Sequence, residues 1–273
     1  MKYENQGLGY VSFTRLAKES ILVHAVTTRE GGVSNYPYKS LNLSFEVGDD
    51  AFRVAKNQNL VLNLFKIQPK YLIRVKQVHE AKVLKVNRAF LDEQIRSYPA
   101  LVEADVLVTA IPSIALMVLV ADCLPVFAFD PVHRAIGLAH AGWRGTVQYA
   151  SVKMIAAMSE SFGTKEEDVR IGLGPCIGPC CYEVGTEVYQ KFQEKFTWTS
   201  EVLKASGPLK WKLNLSEANA KQLMEFGVLE RNIFRSNLCT IQNRDWFFSN
   251  RAEASETHQT GRMAAIMMLM DQV

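Results

Sequence analysis

The sequence predicts one α/β domain built on mixed sheets, spanning residues 1–273. Three observations carry that expectation. Strand-like apolar runs alternate with segments of helical periodicity. Several of those runs are too continuously rich in Val, Leu and Ile to be half-exposed strands. No low-complexity tract, internal repeat or interdomain linker divides the chain.

Taken in order, Ile21 to Thr28 (ILVHAVTT) reads as a short strand, followed by Arg29, Glu30 and the Gly31-Gly32 pair, whose flexible backbone permits a tight turn. Asp49-Asp50 can open a helix in which Phe52, Val54, Ala55, Leu60 and Leu64 form an apolar stripe. Tyr71 to His79 looks like a strand, with Ala81 to Val86 as its hairpin partner or continuation. Ala104 to Thr109 and Ile114 to Phe129 are strand-rich, broken by Pro112 and Pro125. Ala135 to Ala139 adds a strand, and Thr146 is expected to cap a helix reaching about Phe162. Val169 to Leu173 is a further strand, followed by the loop Gly174-Pro175-Cys176-Ile177-Gly178-Pro179. Helices are expected from about Val184 to Phe196, from a Ser216 cap through Phe226, and from about Thr260 to Met270. Thr197 to Leu213 reads as a long connection anchored by Trp198, Leu203, Leu209 and Trp211.

Composition narrows the function classes. An apolar fraction of 48% and a charged fraction of 22% are ordinary globular values. With 31 Lys and Arg against 28 Asp and Glu, the net charge of +3 and the scattered basic residues give no footprint for nucleic acid. The polar start MKYENQGLGY lacks a secretory apolar region. The longest apolar run, Ile114 to Val120, is far below the roughly 20 residues of a membrane span. A cytoplasmic protein with no membrane partner and reduced thiols is expected, and an odd count of five cysteines leaves one free for ligation or reaction.

The chain has five histidines: His24, His79, His133, His140 and His258. His79 and His140 each end an apolar run, and Cys123 sits just inside a third. Strand ends are where α/β sheets place ligands. Two imidazoles and one thiolate suit zinc, and three protein ligands leave a fourth position for water or substrate. The alternative is a buried thiol with two hydrogen-bonded histidines. Cys176, Cys180 and Cys181 share a Gly/Pro loop, but without further clustered ligands they do not read as a structural zinc site. The loop glycines either turn the chain or aim amides at an anion. Arg29 and Arg144 are the arginines expected to reach a cleft and hold phosphate or carboxylate, unless they are surface or strand-capping charges. Asp122 neighbours Cys123, and strand alternation would point it to the opposite face.

Several motifs then resemble the laccase-domain family, whose members carry the names polyphenol oxidase and purine nucleoside phosphorylase. They are TTREGGVS at 27–34, LNLSFEVGDD at 41–50, KQVHE at 76–80, EADVLVT at 103–109, ADCLPV at 121–126, HAGWRGT at 140–146, GPCIGPCCYEVG at 174–185 and TGRMA at 260–264. The resemblance implies a four-layer α/β/β/α fold with mixed sheets, of the cysteine-hydrolase type shared by CNF toxins and YfiH-like proteins. It implies one zinc on His79, Cys123 and His140, with Arg29 and Gln77 near the pocket. It also implies phosphorolysis of adenosine, inosine, guanosine or methylthioadenosine, with inorganic phosphate as co-substrate and adenosine deaminase as a companion activity. A monomer or homodimer fits. A laccase-like oxidase needs more copper ligands than five histidines readily supply, and a zinc-stabilised binding protein would require a fourth protein ligand. Two places depart from the family pattern. Glu80 stands where a glycine is usual, and NRAE at 250–253 replaces (H/Y)RR(D/E) with one arginine fewer.

Overall fold

The most apolar stretches of the chain become the inner strands of two facing sheets. The computed structural model describes residues 2–5, 7–16, 21–97, 101–257 and 259–271. The first sheet runs β1 (Lys2–Asn5), β2 (Leu8–Val11), β3 (Leu22–Thr27), β15 (Met263–Leu269), β7 (Ala115–Val120) and β4 (Leu72–Ile73). The second runs β14 (Ile233–Arg235), β10 (Arg170–Leu173), β8 (Leu124–Asp130), β9 (Ala135–Ala141), β6 (Val106–Thr109) and β5 (Val83–Lys85). Both are mixed: β4 lies parallel to β7, β5 to β6 and β14 to β10, while the other neighbours are antiparallel. A small third sheet joins β11 (Glu183–Gly185), β13 (Lys210–Leu213) and β12 (Leu203–Gly207).

Side-chain alternation turns these sheets into layers. Along β15, Met263, Ala265, Met267 and Leu269 pack between the two sheets with Phe127, Phe129, Ile136 and Leu138. The intervening Ala264, Ile266 and Met268 pack outward with Val61 and Leu62 of helix α1 (Ala51–Leu64). On the far side, Val126, Ala128 and Ala139 of the second sheet pack with Met154 and Met158 of α4 (Ala150–Phe162) and Leu223 of α7 (Leu215–Glu225). The order is helix, sheet, sheet, helix, as the family resemblance implies. Gly137 lets α4 approach closely, since a Cβ there would stand 2.6 Å from Met154 Cγ. The remaining helices are α2 (Arg88–Ser97), α3 (Trp143–Val147), α5 (Thr186–Gln193), α6 (Thr199–Val202) and α8 (Asn250–Thr257).

Five local expectations need correction. Thr260 to Met270 does not form a helix; its core is β15, in the interior of the first sheet. Thr146 lies inside α3, its hydroxyl donating to Gly142 O at 2.9 Å, and the left-handed Tyr149 (φ 62°) separates α3 from α4. The cap of α7 is Asn214, whose side chain accepts from Glu217 N, and Ser216 lies within the helix. The expected connection 197–213 holds α6, β12 and β13. Val83–Lys85 pairs in the second sheet, so it is not a hairpin partner of the Tyr71 segment in the first.

Candidate metal centre

Three chain segments converge at one end of the sheet pair. His140 is near the end of β9, Cys123 sits in the turn between β7 and β8, and His79 lies beyond β4 in a left-handed conformation (φ 60°). One ligand atom from each lies within 4.8 Å of the others. The two imidazoles meet edge to face, with centroids 4.7 Å apart. His140 is buried, Cys123 half-buried and His79 exposed, so the cluster opens outward.

A buried carboxylate orients the set. Asp105 Oδ1 contacts His140 Nδ1 at 3.1 Å and accepts from His79 N at 2.9 Å, while Oδ2 accepts from Glu80 N at 2.9 Å. The Asp105 carbonyl also accepts from His140 N. One residue thus fixes the ring of one histidine and the backbone of the other, the arrangement that outer partners of metal ligands provide. Burial alone would raise the Asp105 carboxyl, but these hydrogen bonds hold it below its usual range. Burial would likewise raise the Cys123 thiol. The facing His140 and His79 outweigh this and lower it, favouring the thiolate that metals bind. His140 is raised in turn: burial opposes its charge, but Cys123 and Asp105 stabilise it. Gly142 leaves the space clear, because a Cβ there would lie 2.8 Å from Cys123 Sγ and 3.7 Å from the His79 ring.

The cluster opens into a cavity of about 600 Å³, within the roughly 300–1,000 Å³ usual for small-molecule sites. Met117, Leu119, Ile177 and Leu215 supply apolar wall, and Arg74, Arg251 and Arg262 supply positive charge. The Arg262 guanidinium is pinned by Thr260 O, Gly261 O and Asn250 Oδ1. Burial lowers its pKa from the usual value, while Cys123, Asp122 and Glu253 favour its charge. Arg251 donates to Glu183 O at 2.6 Å and lies over the Tyr182 ring. Asp122, expected on the opposite face, lines the same cavity. Its φ of 86° puts it in a turn where strand alternation no longer applies. Burial raises its pKa against the hydrogen bonds from Thr240, Arg251 N and Ser249.

The family model described as multi-copper polyphenol oxidoreductase laccase matches residues 23–270. The chain belongs to this family. Across 246 residues it is 37% identical to a protein of Bacteroides thetaiotaomicron named purine nucleoside phosphorylase, covering 89% of this chain and 90% of that one. The crystal structure of YlmD from Geobacillus stearothermophilus superposes with a TM-score of 0.89 at 30% identity, covering 98% of each chain. That of the Bacillus licheniformis protein YfiH gives 0.88 at 29% identity, covering 97% of each.

Set in the family frame, the expected site residues separate. His79, Cys123 and His140 come together. Gln77 lines the cavity, but its amide is spent on main chain: Nε2 donates to Leu119 O at 2.8 Å and Oε1 accepts from Leu119 N at 2.7 Å. Arg144 is exposed, stacked on Trp143 and outside the cavity lining. Arg29 is also outside that lining. It donates to Lys39 O, Arg244 O and Glu253 Oε1, and lies 4.4 Å from the Phe248 ring centroid. The expected flexible turn at Gly31-Gly32 is instead a close backbone crossing, where a Cβ on either glycine would stand 2.2 Å from a main-chain oxygen. Glu80 fits without strain because the left-handed residues are His79 and Ala81 on either side of it. Within NRAE, Arg251 and Asn250 reach the cavity and Glu253 pairs with Arg29. Arg251 and Arg262 belong to the NRAE and TGRMA motifs, yet nothing in the sequence marks either as a cavity residue.

Proposed function

We propose that His79, Cys123 and His140 hold one zinc ion, and that the cavity beside them cleaves purine nucleosides with phosphate. Adenosine, inosine, guanosine and methylthioadenosine are the substrates on this reading, with deamination of adenosine as a second activity. The observation that carries it is the opening of a His₂Cys cluster into a cavity that also presents Arg74, Arg251 and Arg262. The name of the Bacteroides relative supports the same reaction. Among the described residues the cluster has three ligand groups and no fourth, which favours a reactive over a purely structural centre.

Zinc bound here would supply Lewis acidity at the cavity floor. The chain's own groups do the rest. Arg262, held by two carbonyls and Asn250, presents a fixed positive charge suited to phosphate, and Arg251 adds a second. Met117, Leu119, Ile177 and Leu215 offer an apolar wall for a purine. In phosphorolysis a phosphate oxygen bonds to C1′ as the C1′–N9 bond breaks. The electron pair leaves with the base, which takes up a proton. In deamination water adds at C6 and ammonia departs. The five free cysteines fit a reducing, cytoplasmic setting.

The deciding experiment incubates purified protein with adenosine, with and without phosphate, and separates the products. Adenine and ribose 1-phosphate formed only with phosphate, together with inosine formed in either case, support the reading. Oxygen-dependent oxidation of a phenol, with neither product from adenosine, would replace it by the oxidase named in the family description.

A further inference from the structure

Outside the cavity lining, a second group of side chains gathers metal-binding atoms. The sulfurs of Cys180, Cys181 and Cys239 all lie within 4.8 Å of one another, and none is in a disulfide. Cys239 comes from a turn 58 residues beyond Cys181, so the loop motif alone could not reveal it. We propose that these three cysteines form a second metal site, taking a soft, thiophilic d¹⁰ ion such as Cu(I) or Zn(II) through three thiolates.

The donor set is uniformly soft, which selects thiophilic ions over hard oxygen-seeking ones. The backbone is arranged for a thiolate at Cys239: its sulfur accepts from Gly178 N at 3.3 Å and from the amides of Gln242 and Ile241. Burial opposes charge there, but these amides hold the thiol below its usual range. Gly178 keeps the site clear, since a Cβ would stand 3.1 Å from Cys239 Cβ and 3.4 Å from Cys180 Sγ. Two anchored segments fix the geometry. Cys176 N donates to Leu238 O and Thr240 N to Cys176 O, tying the loop to the Cys239 turn. Cys181 N and Tyr182 N both donate to Gly178 O, closing the turn that carries the vicinal pair. Cys180 is exposed and Cys239 buried, which gives an ion an entry path. Cys176 lies outside the cluster, in the core among Leu173 and Ile177, and burial pushes its thiol up.

An ion here would join two segments that also shape the cavity. The loop carries Ile177 and Tyr182 into the cavity wall, and Thr240 donates to Asp122 Oδ1 at 2.5 Å. None of the three sulfurs lines the cavity, so the site fastens the wall without touching a substrate.

The test titrates reduced, metal-free full-length protein with Cd(II) under anaerobic conditions, following thiolate-to-cadmium absorption. Wild type should bind two equivalents. Cys239→Ser should lose one of them and about three-quarters of the absorbance, because three of the four Cd–S bonds belong to this site. Cys123→Ser should lose the other equivalent and about one-quarter. Cys180→Ser changes an exposed position, and should weaken the same equivalent by at least about tenfold. It keeps the test valid should Cys239→Ser fail to fold. A single equivalent in wild type that persists in the Cys180 and Cys239 variants, or unchanged absorbance in both of those variants, would overturn the proposal. A single equivalent lost in Cys239→Ser would leave it standing and count against the cavity site instead. A disulfide among these cysteines that forms in air, while the reduced protein binds no equivalent there, would also overturn the proposal and make them a redox pair.

Discussion

The cavity cluster and the loop cluster gather metal-binding atoms by opposite means. In the first, His79, Cys123 and His140 come from widely separated segments at the ends of two sheets, and a buried carboxylate, Asp105, orients both histidines. In the second, vicinal cysteines on one turn meet a cysteine on another, and backbone amides support the sulfur. The first is therefore positioned by strand ends and a buried carboxylate of the core. The second depends on two short turns, and an ion would add a fastening that the core does not provide. The difference also separates their chemistry. Mixed imidazole and thiolate donors facing a cavity suit a reactive centre, while three thiolates outside the cavity suit a fastening.

The largest expected effect breaks this comparison at Asp105. Asp105→Asn removes the carboxylate shared by His79 and His140, so zinc affinity at the cavity should fall by about 10–100-fold. Competition against a chelator measures this, and the loop cluster should be untouched. An unchanged affinity would mean that the sheets alone hold the ligands. Next, Arg262→Gln should raise the KM for phosphate by about tenfold, consistent with losing one charge-assisted hydrogen bond. Arg144→Gln, on an exposed residue outside the cavity lining, should leave that KM near wild type. Equal effects in the two variants would detach Arg262 from phosphate.

Arg29 sharpens the contrast between holding the wall and serving the site. Its replacement by Ala removes the ion pair to the half-buried Glu253 and the contact over Phe248, so unfolding in urea should show a loss of about 2 kcal/mol. Activity per folded molecule should stay within about twofold of wild type, since 0.4 kcal/mol corresponds to a factor of two. A stable variant with weak activity would return Arg29 to the site. The smallest effect belongs to His133, which pairs with Asp130 away from either cluster. His133→Ala should retain full zinc content.

The His79, Cys123 and His140 cluster was legible because its chemistry is local to the residue: His and Cys at the ends of apolar runs are few in this chain, and the family motifs pick out the same three. The second sheet was legible for a similar reason, as LPVFAFD of β8 and AIGLAHA of β9 are too apolar for any exposed setting. β15 was misread because Met, Ala and Leu in MAAIMML are good helix formers, and a strand buried on both faces shows no alternation to contradict them. Arg251 and Arg262 were passed over because α8 and β15 bring them to the cavity only after folding. Arg29 illustrates the converse. Its glycine pair signalled mobility, whereas the fold uses those glycines for close backbone contact.

The identity of the ion at His79, Cys123 and His140 decides between the phosphorylase and oxidase readings, because copper also accepts this donor set. Protein purified without added metal, with the loop cysteines blocked by Cys180→Ser and Cys239→Ser, should contain about one zinc per chain by elemental analysis. Adding Cys123→Ser should empty it. Copper in place of zinc, or zinc retained after Cys123→Ser, would contradict the account.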